Sequence, residues 1–320
     1  MRKINTSDIT LKKLSEDRAV SLLFREKSAI ANCADRIGAD CIELPAVKSA
    51  REDAIIYKTI AKNIKNASLA IPVGFSADEV QTAWECIKDA KSPRLQIELP
   101  VSTIQMEYTY HVKQSAMIEK IGELVAMAKT LCADVEFSAL DATRADEDCL
   151  IASVKEAEAK GATMITVCDD AGASTPEQIA ELVGKVKKAV SIPVYAQVSD
   201  RISMAVASAF AAISNGADGL KCAMLGRDAL QMGAISDAIN VCGAQIGAKI
   251  KLNKTSIHAS IDDMLSSINH TSYEEGNEIS DKKKILLDSD STIAQVAEAA
   301  AVLGYELSDS DIGNVYDNKQ

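Results

Sequence analysis

Charged side chains recur at the ends of short apolar segments along this chain. Lys12 and Lys13 follow the first segment, and Glu43 and Glu136 lie in the second and the fifth. Carboxylates can exchange protons or hold a hard divalent cation, and a lysine can hold an anion. A lysine with a depressed pKa can also form a Schiff base with a carbonyl substrate, and Lys13 and Lys221 are the candidates for that chemistry.

Oxygen ligands dominate among the other polar side chains of these segments. A magnesium or calcium site made only of oxygen ligands is one prediction, and it would draw on Glu43, Glu136, Asp141, Asp169, Asp170 and Asp200. The alternative is structural, with the acids capping helices and pairing with Lys12, Lys13 and Arg144. All three histidines lie outside these segments, which argues against a histidine-based metal site.

Eight short β-rich segments alternate with amphipathic helical segments. They begin near residues 4, 39, 67, 94, 134, 162, 193 and 217. Gly38, Gly161 and Gly216 each precede a segment, where a helix commonly ends in a left-handed residue. Thr175 and Pro176 open another helix as N-cap and first helical residue. The alternation predicts an α/β protein with a closed (β/α)8 TIM barrel, whose site lies at the carboxyl ends of the strands.

An open doubly wound sheet is the rival architecture for the same alternation. No GxGxxG motif follows any of the eight segments, which weakens the dinucleotide-binding form of that rival. The pattern changes near residue 250, where LNKTSIHASIDDMLSSI predicts a helix. A polar loop follows, and then two helices around a turn at Gly304. We predict a barrel over residues 1–250, a helical linker-type subdomain over residues 251–320, and no regulatory domain.

Charge and composition exclude several classes of protein. The net charge of −11 and the lack of a basic run argue against binding to nucleic acid or to an anionic membrane. The chain has no apolar stretch of 18 residues and no signal-peptide pattern, so we predict a cytoplasmic protein. None of the eight cysteines forms a CxxC pair, and we expect them to be reduced and buried.

The stretch from residue 134 to residue 190 carries motifs in a specific order. VEFS ends at Ser138, DATR spans residues 141–144, Asp169 precedes Gly172, and TP opens a helix at residue 175. This order closely resembles the isopropylmalate, homocitrate and citramalate synthases of the DRE-TIM metallolyase superfamily. GADCIELP, with Glu43 in the acidic position of that family, extends the resemblance, which covers nearly the whole chain.

The resemblance implies a homodimeric barrel enzyme that joins acetyl-CoA to a 2-oxo acid with the help of a divalent metal. The metal-binding positions of the family are altered here. D-x-T-L-R-D-G reads DITLKKL from residue 8, which places Lys12 at the substrate-polarising arginine and Lys13 at a metal-binding aspartate. Where the family has the two histidines of its H-x-H motif, this chain has Gln197 and Ser199. Where the family has a histidine on the fourth strand, this chain has Gln96. We therefore expect no metal at these positions and an ammonium near the place of the cation.

By this resemblance the catalytic candidates are Lys12, Lys13, Glu43 and Glu136. The substrate-binding candidates are Ser102, Ser138, Asp141, Arg144, Asp169, Gln197 and Ser199. His258 lies in TSIH, which is similar to the S-G-I-H of the family, but the spacing favours a plain helix there.

Three functions compete at this point. The first is a carboligase or related aldolase or lyase that acts on a small carboxylate or 2-oxo acid with altered, metal-independent chemistry. The second is a non-catalytic paralogue that binds a small carboxylate or a partner synthase. The third is a Schiff-base aldolase.

Overall fold

In the computed structural model, eight parallel strands close into one barrel in chain order. The structure describes residues 1–17, 20–253, 257–267, 292–294 and 297. The barrel strands are β1 (Asn5–Asp8), β2 (Cys41–Glu43), β3 (Ser68–Pro72), β4 (Pro93–Pro100), β5 (Val135–Leu140), β6 (Met164–Cys168), β7 (Val194–Gln197) and β8 (Gly219–Cys222). Strand β8 closes onto β1 with Ser7 opposite Lys221. The predicted TIM barrel is confirmed, and the open sheet was the wrong alternative.

Helices cover the outside of the barrel and connect successive strands. They are α1 (Thr10–Glu16), α2 (Phe24–Ile37), α3 (Glu52–Asn63), α4 (Ala77–Ile87), α5 (Gln114–Leu131), α6 (Glu147–Ala159), α7 (Pro176–Ala189), α8 (Ala205–Ser214) and α9 (Met232–Cys242). Short turns of other types lie in the loops after β4 and β5, including a π-helix (Met106–Tyr110) and a 3-10 turn (Ala142–Arg144).

The expected helix signals act as the sequence indicated. Gly38, Gly161 and Gly216 have φ values of 95°, 107° and 109°, which are left-handed conformations that cost glycine little. The Thr175 side chain accepts a hydrogen bond from the Gln178 backbone N–H, and Pro176 occupies the first turn. These local signals set where each helix ends and the next strand begins.

The strands divide their side chains between two environments. In β4, Leu95, Ile97 and Leu99 are buried. They alternate with Gln96, which bonds to Glu136 of β5, and with Glu98, which bonds to Lys12 of α1. Successive side chains of a strand point to opposite faces, so the apolar set packs under the helices and the polar set fills the barrel. The barrel interior is therefore polar and charged, while the layer between strands and helices forms the apolar core.

The described residues after the barrel form one helix, α10 (Ile257–Ser267), within the sequence predicted as helical. The Cys33 thiol of α2 donates to the Ser260 carbonyl of α10 at 3.2 Å. By compactness the chain divides into Met1–Ser272 and Tyr273–Gln320. The polar loop and the last two predicted helices lie outside the described residues, so the domain boundary at residue 250 stays a prediction.

Two other expectations concern the whole chain. All eight cysteines are thiols outside any disulfide, and every one except the half-buried Cys242 is buried, as expected for reduced core residues. Among the helices that the structure describes, none is both long and apolar enough to cross a membrane.

Candidate functional site

Lys221 of β8 lies at the centre of the barrel interior with a carboxylate on either side. Its Nζ is 2.9 Å from Glu43 Oε1 of β2 and 2.7 Å from Glu136 Oε1 of β5. All three side chains are fully buried. Ser7 donates to Glu43 at 2.8 Å, and Ser138 donates to Glu136 at 2.9 Å. The barrel therefore holds an ammonium between two carboxylates that neighbouring hydroxyl groups keep in place.

Lys12 and Glu98 form the next pair toward the carboxyl ends of the strands. The Lys12 ammonium donates to Glu98 and also lies 3.3 Å from Glu43 Oε2. The Lys12 and Glu98 side chains keep 13% and 16% of their surface exposed, whereas the carboxylates behind them are sealed. This pair is the part of the charged interior that solvent reaches at the mouth of the barrel.

Arg94 extends the charged interior toward the amino ends of the strands. Its guanidinium lies 3.8 Å from Glu136 and donates to Asp134 at 2.9 Å. The charges thus alternate in sign in the order Arg94, Glu136, Lys221, Glu43, Lys12 and Glu98, and we call these six residues the ion-pair chain. Alternation compensates each buried charge, which is the condition under which charges are tolerated in a protein interior.

The pKa values in this chain follow from burial and pairing. Burial by itself would raise the pKa of Glu43 and of Glu136, but the adjacent Lys221, together with Lys12 and Arg94, outweighs it and holds both pKa values below the usual range. Burial opposes the charged form of Lys221, but Glu136 and Glu43 raise its pKa well above that of a free lysine. These three groups are therefore ionised at neutral pH, and Lys221 holds its proton firmly.

A second cluster lies beside the mouth, at the loops after β4 and β5. Asp141, at φ 55°, accepts from Arg144 Nε at 2.8 Å and from the Ser102 hydroxyl. Its backbone N–H donates to Asp170 at 2.6 Å. Three predicted substrate-binding residues thus meet in one cluster, and Arg144, with 42% of its side chain exposed, is the member that faces solvent.

The remaining candidates lie around the rim. The Lys13 ammonium lies 3.0 Å from the carboxylate of Glu16 on the same helix, α1, and this pair is separate from the ion-pair chain. Asp169 accepts from Thr143 and from a backbone N–H, as a loop-fixing residue does. Gln197 ends β7, and the Ser199 hydroxyl accepts from the backbone N–H two residues later. The structure brings Lys12, Glu43, Glu136 and Ser138 together, whereas the bonds of Lys13, Asp169 and Ser199 lead to other partners. Gln197 pairs in strand register with Lys221.

The donors do not fit a divalent metal. In the part of the chain that the structure describes, no group of three or more His, Cys, Asp or Glu side chains is arranged to hold a metal ion. Glu43 and Glu136, the two innermost carboxylates, already hold the Lys221 ammonium. Lys13, Gln197 and Ser199, at the positions where the resembling synthases have metal ligands, offer an ammonium, an amide and a hydroxyl. The oxygen-only magnesium or calcium site therefore finds no support in the geometry.

The site residues predicted from the sequence did not include Glu98 or Arg94, and Lys221 was considered only as a Schiff-base candidate. Lys221 lies between Leu220 and Cys222 and Glu98 between Ile97 and Leu99, so each is a charge inside an apolar strand. That pattern was the available signal, because a charge that alternates with apolar residues in a barrel strand points into the barrel. Which charges meet depends on strand register, and the sequence does not give the register.

Taken together, the architecture and the charged barrel mouth define an α/β-barrel protein with a charged site at the carboxyl ends of its strands. The chain belongs to the HMGL-like family, whose family model matches residues 3–258. The resemblance seen in the motifs is thus confirmed at the level of the family.

Individual relatives agree with this assignment. The chain is 34% identical over 230 residues to the 2-isopropylmalate synthase of Carboxydothermus hydrogenoformans, a match over 71% of this chain and 45% of that protein. It is 35% identical over 230 residues to that of Bacillus velezensis, over 71% and 44% of the two chains. The matched region is therefore less than half the length of these relatives.

A solved structure shares the fold at low sequence identity. The HMG-CoA lyase of Acinetobacter baumannii, whose structure contains coenzyme A and 3-methylmalate, superposes with a TM-score of 0.67 at 15% identity. The superposition covers 83% of this chain and 92% of the lyase. At this identity the likeness concerns the barrel fold alone.

Proposed function

We propose that this chain forms or cleaves a carbon–carbon bond in a small carboxylate, by acyl-CoA and 2-oxo acid chemistry that needs no bound metal. The observation that carries the proposal is Lys12, a cationic side chain that keeps 13% of its surface exposed at the barrel mouth. An anionic substrate that enters from solvent reaches Lys12 before the sealed groups behind it. A fixed ammonium can hold a carboxylate and stabilise negative charge that develops on a carbonyl oxygen.

The ion-pair chain would keep that ammonium in position. Glu43 contacts Lys12 at 3.3 Å, and Lys221 holds Glu43 from the other side at 2.9 Å. Glu136 in turn holds Lys221 at 2.7 Å. In this proposal Lys12 binds the substrate, whereas Glu43 and Glu136 act as positioning residues. Arg144 and Lys13 lie farther out on the rim and would attract the anionic parts of an acyl-CoA.

The relatives support the choice of substrate class. The 2-isopropylmalate synthases are named for making a substituted malate, and the lyase structure contains coenzyme A together with 3-methylmalate. Both descriptions suggest an acyl-CoA and a small carboxylate as the ligands to test first. A homodimer in the cytoplasm belongs to the same proposal, and light scattering tests the dimer.

The two alternative functions, a Schiff-base aldolase and a non-catalytic binding protein, are not equally supported by the structure. A Schiff base at Lys221 needs a neutral amine, and two flanking carboxylates that raise the pKa of Lys221 oppose this. One observation favours a non-catalytic binding protein. The Lys12 ammonium already donates to Glu98, so a substrate carboxylate has to displace Glu98 from it. Turnover measurements separate this alternative from the enzyme.

The test is release of free CoA thiol from acetyl-CoA with a panel of 2-oxo acids, in EDTA and in Mn²⁺. We expect turnover that EDTA leaves unchanged and that Lys12→Met lowers about 100-fold, the scale of losing one charge-stabilising donor. Lys185→Met, which removes an exposed lysine on α7, is the matched control and should keep full activity. Turnover that requires Mn²⁺ contradicts the metal-free proposal, and saturable 2-oxo acid binding without turnover supports the binding protein.

A further inference from the structure

Glu43 and Glu136 place two fully buried carboxylates on facing sides of the barrel interior. Hydroxyl oxygens surround them, because Ser7 lies beside Glu43, and Ser138 and Thr166 lie beside Glu136. Carboxylate and hydroxyl oxygens are the ligands of hard divalent cations. By composition this pocket resembles a cation site, and the cation between its two carboxylates is a side chain of the protein itself, Lys221.

The Lys221 ammonium offsets the negative charge of the two carboxylates in this pocket. Its Nζ lies within 3.1 Å of both Glu43 oxygens, 2.7 Å from Glu136 Oε1 and 3.4 Å from the Ser138 hydroxyl. A divalent cation bound by the same carboxylates would have to lie where the ammonium lies. Two cations cannot share that volume, because their mutual repulsion at such distances in a poorly screened interior is large.

One acceptor beside this pocket has no donor. Gln96 donates its amide nitrogen to Glu136 Oε2 at 2.9 Å, and its amide oxygen is buried with no hydrogen-bond donor. An unsatisfied buried oxygen beside the carboxylates is a further feature of a site suited to a cation. If the Lys221 ammonium were removed, the pocket would keep its oxygen ligands and lose the cation between its two carboxylates, while Lys12 and Arg94 would still lie at its edges.

We infer that Lys221 is a built-in replacement for a bound divalent cation, so that the barrel is closed to metal while its ammonium is in place and becomes a metal site when the ammonium is removed. This inference deepens the proposed function by naming the group that takes the place of the metal. Its test measures metal binding rather than turnover, so each can fail while the other stands.

The experiment compares Mn²⁺ binding by wild type, Lys221→Ala and Lys12→Met, by calorimetry and by electron paramagnetic resonance. We expect no stoichiometric interior site in the wild type and one site in Lys221→Ala, with an affinity at least about tenfold above any wild-type binding. The double variant Lys221→Ala/Glu136→Gln should lose that site, because one carboxylate ligand is gone. Lys12→Met is the matched control, since it removes a neighbouring ammonium that contacts Glu43 but not Glu136.

Circular dichroism identifies variants that fail to fold. A second measurement needs only the wild type and Glu43→Gln, namely their melting temperatures in Mn²⁺ and in EDTA, because a ligand that binds the folded state raises the melting temperature. We expect no difference in the wild type. A folded Lys221→Ala that gains no site overturns the inference. The inference is also overturned if Mn²⁺ raises the melting temperature of the wild type and this rise is absent in Glu43→Gln.

Discussion

At the scale of single residues, Asp8 shows how burial changes the chemistry of a carboxyl group. Asp8 ends β1, is fully buried, and accepts from the Thr10 side chain, while its Oδ2 has no hydrogen-bond partner. Burial, with a contribution from Glu43, raises the pKa of Asp8 to about 7 against the lowering effect of Thr10. The folded protein therefore favours the neutral form of a group that is ionised at neutral pH in the unfolded chain.

The sign of the resulting pH dependence follows from linkage. Because the folded-state pKa lies above the unfolded value, the stability that Asp8 contributes is present below the unfolded pKa and is lost as the pH rises toward 7. Asp8→Asn imitates the neutral form at every pH. We expect the free energy of unfolding of Asp8→Asn, relative to wild type, to be on the order of 2 kcal/mol higher at pH 8 than at pH 5.

Urea unfolding at both pH values checks this expectation. Asp89→Asn, at an exposed position, is the control and should show the same difference from wild type at pH 5 and pH 8. A pH-independent effect of Asp8→Asn would mean that Asp8 is ionised in the folded protein.

At the scale of elements, a carboxylate fixes the connection between α3 and β3. Asp35 of α2 accepts from the backbone N–H groups of Lys65, Asn66 and Ala67 at 3.1, 2.9 and 2.7 Å. These groups lie between the end of α3 and the start of β3, outside the hydrogen-bond pattern of either element, so they need another acceptor. Asp35 thus sets the direction in which β3 enters the barrel.

Removing this carboxylate should destabilise the fold. We expect Asp35→Ala to lower the free energy of unfolding by about 2–3 kcal/mol, because it leaves three backbone donors unpaired in a partly buried turn. Asp35→Asn keeps one oxygen acceptor and should lose clearly less. Chemical denaturation measures both variants, and equal losses in the two would show that the hydrogen bonds are not the cause.

The elements themselves were predictable because their signals are local. The glycines that end helices, the Thr175 cap and the alternation of apolar segments each act within a few residues, and all eight strands were found from them. The π-helix at Met106–Tyr110 was not predicted. It comes from an insertion in helical hydrogen bonding, and composition alone does not reveal it.

At the scale of the whole molecule, the candidate site was only partly predictable. Lys12, Glu43 and Glu136 were expected at the mouth, and the structure joins them through Lys221, which the sequence analysis considered only as a Schiff-base candidate. Lys221 and Glu43 are 178 positions apart in the chain, so their contact depends on closure of the barrel. The same closure makes the six residues of the ion-pair chain one electrostatic unit.

Because the ion-pair chain is one electrostatic unit, we expect that the effects of substitutions within it on the free energy of unfolding are not additive. Lys221→Met should cost about 3–5 kcal/mol, because it leaves Glu43 and Glu136 buried with an uncompensated charge. Glu136→Gln alone should also destabilise, since it removes one partner of Lys221 and one of Arg94. In the double variant the two losses of stability overlap. The Glu136 charge that Lys221→Met would leave without its ammonium partner is no longer present, and Glu43 keeps Lys12 as its partner.

A double-mutant cycle measured by urea unfolding tests this coupling. We expect the double variant to be 0.5–3 kcal/mol more stable than the sum of the single losses predicts, the range found for residues in one ion-pair network. The control cycle combines Lys221→Met with Asp35→Ala, which belongs to a different hydrogen-bond network and should be additive within about 0.5 kcal/mol. Additivity in both cycles would mean that the charges of the barrel interior act independently, and the account of Lys221 as the link between the two carboxylates would then fail.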